Sequence, residues 1–418
     1  MSNSSKTRLG VFGFGCVGQG LYNVLSHSKG IKAEIRKICI KNADKKRSLP
    51  AHYFTLDKNE LLFNDEIDVI VELIDDPVAA FEIVKTALEN GKAVVTANKK
   101  MLADNFETLF RLQAESNVPL LYEASSCGCI PIIRNLEEYY DNDQLNAVEG
   151  IFNGSTNYIL TKMFRENASF DTALSEAQVN GFAESDPTLD IGGYDAKYKL
   201  GIILAHSFGI IVKPEDLFNY GITRISDFDA NYAREKGYKI KLIAFCRKIG
   251  DTIAAGVLPR FIKPDNKLFG IDYEYNAVVV ESIFSEYQYF VGKGAGSNPT
   301  GSAVLSDISA LTYNYRYEYK KYQLHENLRV SNDYFIQLYI RYDPATPLPP
   351  DIFEDVHEQY ASHNNAYMIG SVHFDRLLSS GILDRNDVNI IAGADPAIHR
   401  AVESAEIIEA NQASVHQG

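Results

Sequence analysis

The sequence has no run approaching the roughly 20 uninterrupted apolar residues that a helix needs to cross a bilayer. Its opening, MSNSSKTR, passes straight into an apolar strand without the hydrophobic core of a secretory leader. A cytoplasmic protein with no membrane partner is expected. The five cysteines (Cys16, Cys39, Cys127, Cys129, Cys246) are odd in number and lack the CxxC and Cys/His spacings of zinc sites. They are expected as reduced thiols, several of them buried. Positive charge is also short: 41 Lys and Arg against 55 Asp and Glu leave a formal charge of −14. The average surface therefore repels a phosphate backbone, and the densest basic run, Lys41 to Arg47, is too short to make a nucleic-acid face. Internal repeats and low-complexity tracts are absent too.

What is present is the composition of an ordered globular chain, 45% apolar, 23% charged and 11% aromatic over 418 residues. That length suits two or three domains. Strand-like runs at 34–40 (EIRKICI), 69–73 (VIVEL), 93–96 (AVVT) and 120–122 alternate with helical stretches at 79–89 and 104–115. Such alternation predicts a parallel sheet with both faces covered. From about residue 141 the texture changes. A strand at 147–153, helices at 158–164, 171–180 and 195–208, and hairpin-like β-rich stretches at 240–262 and 275–291 predict an α+β region. Beyond about residue 327, a strand at 334–342, a proline-rich turn (PATPLPP) and a capped helix opening in PPDIFEDVHEQY are expected.

Gly13, Gly15 and Gly18 form GxGxxG between the first strand and the first helix. In that setting glycines permit a tight turn and close approach of a pyrophosphate, while the helix start at Cys16 and Val17 offers N–H groups to the anion. The alternative is a glycine turn needed only for packing. Where NAD enzymes commonly place Asp or Glu, after the second strand, this chain has Lys41 and Asn42, with Lys45, Lys46 and Arg47 beyond. Positive charge there suits a 2′-phosphate and favours NADP. NAD stays open, because the lysines also read as a solvated loop with Asp44 among them.

The most specific stretch holds Ala177, Gly181, Glu184, Asp186-Pro187, Asp190, Gly193, Asp195 and Lys199. Asp195 and Lys199, spaced i,i+4, share one helix face; alone they read as a surface ion pair beside a helix cap, as most such pairs do. With Thr96-Ala-Asn98-Lys99, the run from Gly150 to Leu160 (GIFNGSTNYIL) and Gly292-Lys-Gly294-Ala-Gly296-Ser-Asn-Pro299-Thr300, however, this pattern resembles the homoserine dehydrogenase family over about residues 9–308.

The resemblance implies NAD(P)-dependent interconversion of L-homoserine and L-aspartate 4-semialdehyde, on the way to threonine and methionine. It implies Glu184 and Asp190 as holders of the amino-acid substrate, Asp195 as a substrate-site acid, Lys199 as proton donor to the forming alkoxide, and Lys99 as a second active-site lysine. Thr96, Lys99 and Gly296 fall on cofactor-binding segments. Reducing an aldehyde needs a proton on oxygen, and a lysine near carboxylates holds that proton while stabilising the alkoxide. The rival reading is a regulatory protein that keeps the dinucleotide fold without turnover.

The implied architecture is α/β: a Rossmann domain over 1–137 completed by 300–326, an α+β substrate and dimerisation domain over 138–299, and a small α+β domain over 327–418 that loosely resembles an ACT module. A homodimer or homotetramer follows from the same resemblance. The usual glycine after Asp-x-Pro is missing at Asp343-Pro344-Ala345, so a structural role is expected for this last domain rather than threonine sensing. A fused aspartate kinase is not expected.

Two segments depart from the family. Its sodium-binding loop is replaced by Glu123-Ala-Ser-Ser126-Cys-Gly128-Cys-Ile130-Pro131. A cation held at Glu123, Ser126, Gly128 and Ile130 stays open, since backbone ligands tolerate side-chain change, but Cys127 and Cys129 restrict φ where glycines stand in the family. Asp75-Asp76 replaces a Gly-Gly after VELI. Elsewhere, His206 is expected as a hydrogen-bonded core residue, and the alternating tyrosines 313–319 as the solvated side of an element.

Overall fold

The structure is a computed structural model describing residues 6–141, 144–324 and 328–394, together with 396, 398 and 399. The domain limits expected at 1, 326, 327 and 418 lie outside the described residues. The chain divides into two compact units, one of Met1–Asp143, Gly201–Asp216 and Phe290–His325, the other of Gln144–Leu200, Leu217–Tyr289 and Glu326–Gly418.

In the first unit, strands β1 (Thr7–Phe12), β2 (Ala33–Cys39), β3 (Phe54–Thr55), β4 (Val69–Glu72), β5 (Ala93–Thr96) and β6 (Leu120–Leu121) form one parallel sheet, ordered β3-β2-β1-β4-β5-β6. The later part of β1 and most of β4, β5 and β6 are buried, with helices such as Cys16–His27, Pro77–Glu89 and Lys99–Ser116 connecting the strands, whereas β2 and β3 are only partly covered. The strand order reverses between β1 and β4, the switch point where doubly wound folds bind nucleotides.

The helix Ser297–Leu311, distant in sequence, packs on Cys16–His27 through glycines. A Cβ at Gly20 would lie 1.9 Å from the Ser297 carbonyl oxygen, and one at Gly301 2.5 Å from the Gly20 carbonyl carbon. Asp76, one of the two aspartates replacing Gly-Gly, caps the helix Pro77–Glu89, accepting from the N–H of Val78 (3.0 Å) and Ala79 (3.1 Å).

His206 is a buried core residue, bonded through Nε2 to the Tyr122 hydroxyl (2.8 Å) and through Nδ1 to Glu137 (2.6 Å). The tyrosine run differs from its expected solvated setting. Tyr313 is exposed, but Tyr317 and Tyr319 are buried, and Tyr319 shares a hydrogen bond of 2.7 Å with the Tyr122 hydroxyl. The alternation separates a solvated face from a buried one.

The second unit is built on a mixed sheet of β7 (Leu145–Ile151), β8 (Phe218–Asn219), β9 (Lys239–Ile249), β10 (Thr252–Ile262), β11 (Tyr275–Ser282), β12 (Glu286–Lys293), β13 (Arg329–Val330), β14 (Phe335–Tyr342), β15 (Asp355–Ala361), β16 (Ala366–His373) and β17 (Asn389–Ala392). Its order is β12-β11-β7-β9-β10-β17-β14-β16-β15, with β8 and β13 also paired to β10. The hairpin expected over 240–262 is β9–β10, turning at Gly250-Asp251.

The helix expected from Asp351 does not form; β15 stands there, antiparallel to β16. Proline at 347, 349 and 350 removes backbone donors just ahead of it. Ile352 is buried in the core, and strand pairing is reinforced where the Asp355 carboxylate accepts from the Ser371 N–H at 2.9 Å. Long-range pairing thus overrides the local helical pattern. β14 and β15 run parallel with β16 between them, a split β-x-β arrangement whose first crossover is loop and whose second is the helix Phe374–Ser379.

Ile243, Leu258 and Ile262 share one core with Leu338, Ile340 and Ile390. Beside it lies Asp229, wholly buried, accepting from the Tyr339 hydroxyl (2.9 Å), Arg341 Nε (2.9 Å), Asn389 Nδ2 (3.0 Å) and Ser226. Breaking a buried pair leaves an uncompensated charge. Arg341→Met is therefore expected to lower unfolding free energy by about 3 kcal/mol in urea denaturation, whereas a merely solvated pair would change it little.

Candidate active site

The glycine turn leaves β1 at the switch point. Gly13 has φ +93°, and a Cβ on it would lie 2.7 Å from the Leu73 carbonyl oxygen, so only glycine fits. Gly18 packs its Cα face on the Gly13 carbonyl. Gly15 is different: nothing lies within 4 Å of where its Cβ would be. It precedes a helix start, at Cys16 and Val17, that carries no side-chain cap. An open backbone face at an uncapped helix N-terminus suits a pyrophosphate, so the residues fit a dinucleotide.

Lys41 is exposed just beyond β2. Arg47, which the sequence pattern did not single out from its basic run, is better fixed. Its guanidinium lies 5.2 Å from the Phe54 ring centre, donates to the Lys45 carbonyl at 2.7 Å, and Phe54 packs edge-on against Phe14 of the glycine turn at 5.5 Å.

Thr96 ends β5 fully buried, its hydroxyl donating to Glu72 at 2.5 Å. Asn98 caps the helix Lys99–Ser116 by accepting from the Met101 N–H (3.0 Å) and donates to the Ile74 carbonyl (3.0 Å), which places half-buried Lys99 at that helix's first position. Glu72 is a further residue the sequence pattern missed. The one signal was an acid inside an apolar strand. Gly296, φ +123°, begins the helix Ser297–Leu311.

In the loop after β6, Cys127 takes φ +56° and Gly128 +62°. Cys127 thus adopts the left-handed conformation despite its side chain, at a cost of roughly 1 kcal/mol. A Cβ at Gly128 would lie 2.5 Å from the Gly294 backbone, and the Cys129 N–H donates to the Lys293 carbonyl at 3.2 Å, so the loop is clamped to 293–294. Glu123 is buried, its oxygens accepting from the N–H groups of Ile133 and Arg134, both at 2.9 Å. The Ile130 carbonyl accepts from the Ile132 N–H at 2.8 Å. The Ser126 hydroxyl is buried without a partner among the described residues.

The second unit brings three of the four expected substrate-site residues into one cluster. Lys199 Nζ donates to Asp195 Oδ2 and to the Phe152 carbonyl, both at 2.7 Å. Asp195 and Lys199 are 5% and 7% exposed, so this is not a surface ion pair. Asn153, which no part of the sequence reading assigned to the site, donates through Nδ2 to Asp190 Oδ1 (2.7 Å) and Asp195 Oδ2 (2.9 Å). Asn276 Nδ2 reaches the Phe152 carbonyl at 3.0 Å. Burial and the neighbouring Asp195 push the Asp190 carboxyl above its ordinary range, against hydrogen bonds from Asn153 and Ser155 and the charge of Lys199. Glu184 stands apart on an exposed loop, its carbonyl accepting from Gln178 Nε2 at 3.0 Å. A buried lysine held by a carboxylate and a carbonyl, beside a second carboxylate, is a proton donor and cation in one group.

The model of the homoserine dehydrogenase family matches residues 131–309, and that of the homoserine dehydrogenase NAD binding domain matches 13–123. The chain belongs to the homoserine dehydrogenase family. It is 34% identical to a homoserine dehydrogenase of Bacillus subtilis over 348 residues, 80% of each chain. It is 38% identical to one from Neisseria gonorrhoeae over 308 residues, 72% of this chain and 71% of the other. Among solved structures, a homoserine dehydrogenase from Thiobacillus denitrificans superimposes with TM-score 0.83 at 29% identity, over 94% of this chain and 99% of that one. A hyperthermophilic archaeal homoserine dehydrogenase mutant in complex with NADPH has TM-score 0.64 at 27% identity, over 75% of this chain and 99% of that one. As in the family, the cofactor is a nicotinamide dinucleotide. No described helix is long and apolar enough to cross a membrane.

Glu72 makes a pH prediction. Its burial pushes the carboxyl up to about 7, against hydrogen bonds from Thr96 and the Ile74 N–H. An acid whose pKa is raised by folding favours the folded state below its unfolded pKa and loses that advantage as pH rises through the folded value. Stability is therefore expected to fall between about pH 4.5 and 7, and Glu72→Gln to remove up to about 3 kcal/mol of that loss. Thermal midpoints of both proteins across this range check it.

Proposed function

We propose that this chain catalyses the NADP-preferring interconversion of L-homoserine and L-aspartate 4-semialdehyde, as the names of its relatives suggest, and that Lys199 is the proton donor. The observation that carries this reading is the buried Lys199–Asp195 pair beside Asp190. The hydride chemistry is what a bound nicotinamide would supply. The chain's own groups handle the proton. Two of the three Lys199 N–H groups are aimed at Asp195 and the Phe152 carbonyl, and the third is assigned to the substrate oxygen. In reduction the proton passes from Lys199 Nζ to that oxygen, and the ammonium charge stabilises the developing alkoxide. Asp195 orients the lysine through its 2.7 Å contact. Asp190 and Glu184 are assigned to the substrate ammonium, and Lys99 is the second active-site lysine. The retention of Lys99, Glu184, Asp195 and Lys199 together supports an enzyme, and nothing favours the non-catalytic alternative.

Gly13, Gly15, Cys16, Val17, Gly18, Thr96 and Gly296 are assigned to the cofactor, with Lys41 and Arg47 meeting a 2′-phosphate. A sodium ion at Glu123, Ser126, Gly128 and Ile130 is supported by the tight 127–128 turn and by the Ser126 hydroxyl, which has no partner among the described residues. A homodimer or homotetramer is supported by the edge strand β12, where Tyr287, Tyr289 and Val291 are exposed. Residues 327–418 are read as a degenerate ACT-like module with a structural role, and the enzyme as cytoplasmic.

Lys199→Ala is expected to cut turnover about 100-fold or more while NADPH binding, followed by fluorescence, persists. Near-normal turnover would remove Lys199 from the mechanism. Lys41→Ala and Arg47→Ala are each expected to weaken NADP binding several-fold and leave NAD little changed; equal losses on both cofactors would argue against a 2′-phosphate contact. Millimolar threonine is expected to leave the steady-state rate essentially unchanged, and strong inhibition would make the C-terminal module a sensor.

A further inference from the structure

Asn153 ends the stretch that leaves β7 and is the N-cap of the helix Gly154–Glu166. Its Oδ1 accepts from the Thr156 N–H (2.8 Å) and the Thr156 hydroxyl (3.0 Å), and that pairing decides which way the amide faces. The oxygen is committed to the helix, so both hydrogens of Nδ2 point away from it. They meet Asp190 Oδ1 at 2.7 Å and Asp195 Oδ2 at 2.9 Å, the latter being the same oxygen that accepts from Lys199 Nζ at 2.7 Å. Asn153 is 4% exposed. One neutral amide thus bridges two carboxylates, one of which is paired with Lys199.

We propose that Asn153 is a positioning residue for proton transfer: its amide bridges Asp190 and Asp195 and thereby fixes the Asp195–Lys199 pair. The inference rests on the function proposed above and adds a residue to it. The charged groups facing the bridge are Asp190, Asp195 and Lys199, and the Ser155 hydroxyl also bonds Asp190. Without the two N–H donors, like charges face each other across the site. Asp195 then holds a proton more readily and ceases to be a fixed anion for Lys199. The polar atoms of Asn153 are engaged by Thr156, Asp190 and Asp195, so its effect on Lys199 passes through Asp195.

Ser and Asp serve as N-caps about as well as Asn. Asn153→Ser therefore keeps the helix start but is too short to bridge, and Asn153→Asp keeps the shape but turns the donor into an acceptor. Asn153→Ser is expected to fold with a thermal midpoint near wild type, Asn153→Asp with a lower one because it buries a third carboxylate, and both to bind NADPH normally. In each, kcat is expected to fall about tenfold or more, and the acid limb of the kcat–pH profile to move up by about one unit. Wild-type kcat and an unmoved acid limb in both variants, beside an inactive Lys199→Ala, would overturn the inference alone. A loss of rate that follows a lowered thermal midpoint with no change in the acid limb also overturns it, because a cap would explain it. If Lys199→Ala keeps its turnover, the functional reading falls first and this inference with it.

Discussion

A buried ammonium must have its charge answered within the protein, and in the second unit that requirement organises everything around Lys199. Its answers come from one turn earlier on its own helix, Asp195, and from the end of β7, the Phe152 carbonyl. The helix start is thereby tied to the strand end. Because the Phe152 carbonyl is held from the other side by Asn276 of β11, the same acceptor is shared between a sheet neighbour and the lysine. Charge neutralisation and strand registration are therefore one arrangement here. The pair is weak support for stability as such; its value is that a charged lysine has a defined place.

The first unit meets a different constraint, the approach of backbone to backbone. Gly13 at Leu73, Gly20 at Ser297 and Gly128 at Gly294 each occupy a place where a side chain would collide with main chain. Charge enters there through buried acids, Glu72 and Glu123, each spent on satisfying N–H groups of neighbouring turns.

Much of this was legible in the sequence wherever the signal was local. The alternation of apolar runs and helices marked the parallel sheet, GxGxxG marked its first turn, and the i,i+4 spacing of Asp195 and Lys199 put both on one helix face. What escaped depends on partners far along the chain. Asn153 looks like an ordinary N-cap until Asp190 and Asp195 are folded against it. Glu72 looks like an interruption in a strand until Thr96 pairs with it. The segment after Pro350 carries helical spacing, yet β16 recruits it as β15. Tyr317 and Tyr319 alternate with polar residues as a solvated strand would, and it is Tyr122, His206, Phe106 and Phe110, distant in sequence, that make their side of the chain an interior.

The glycine contact between Cys16–His27 and Ser297–Leu311 has a consequence for biosynthesis. The helix Cys16–His27 is translated long before the helix Ser297–Leu311 that covers its glycine face. Until then the nascent chain carries an open apolar face beside the glycine turn, and closing it brings together segments of very high sequence separation, a slow step. The earlier helix thus waits for its partner until most of the chain has been made.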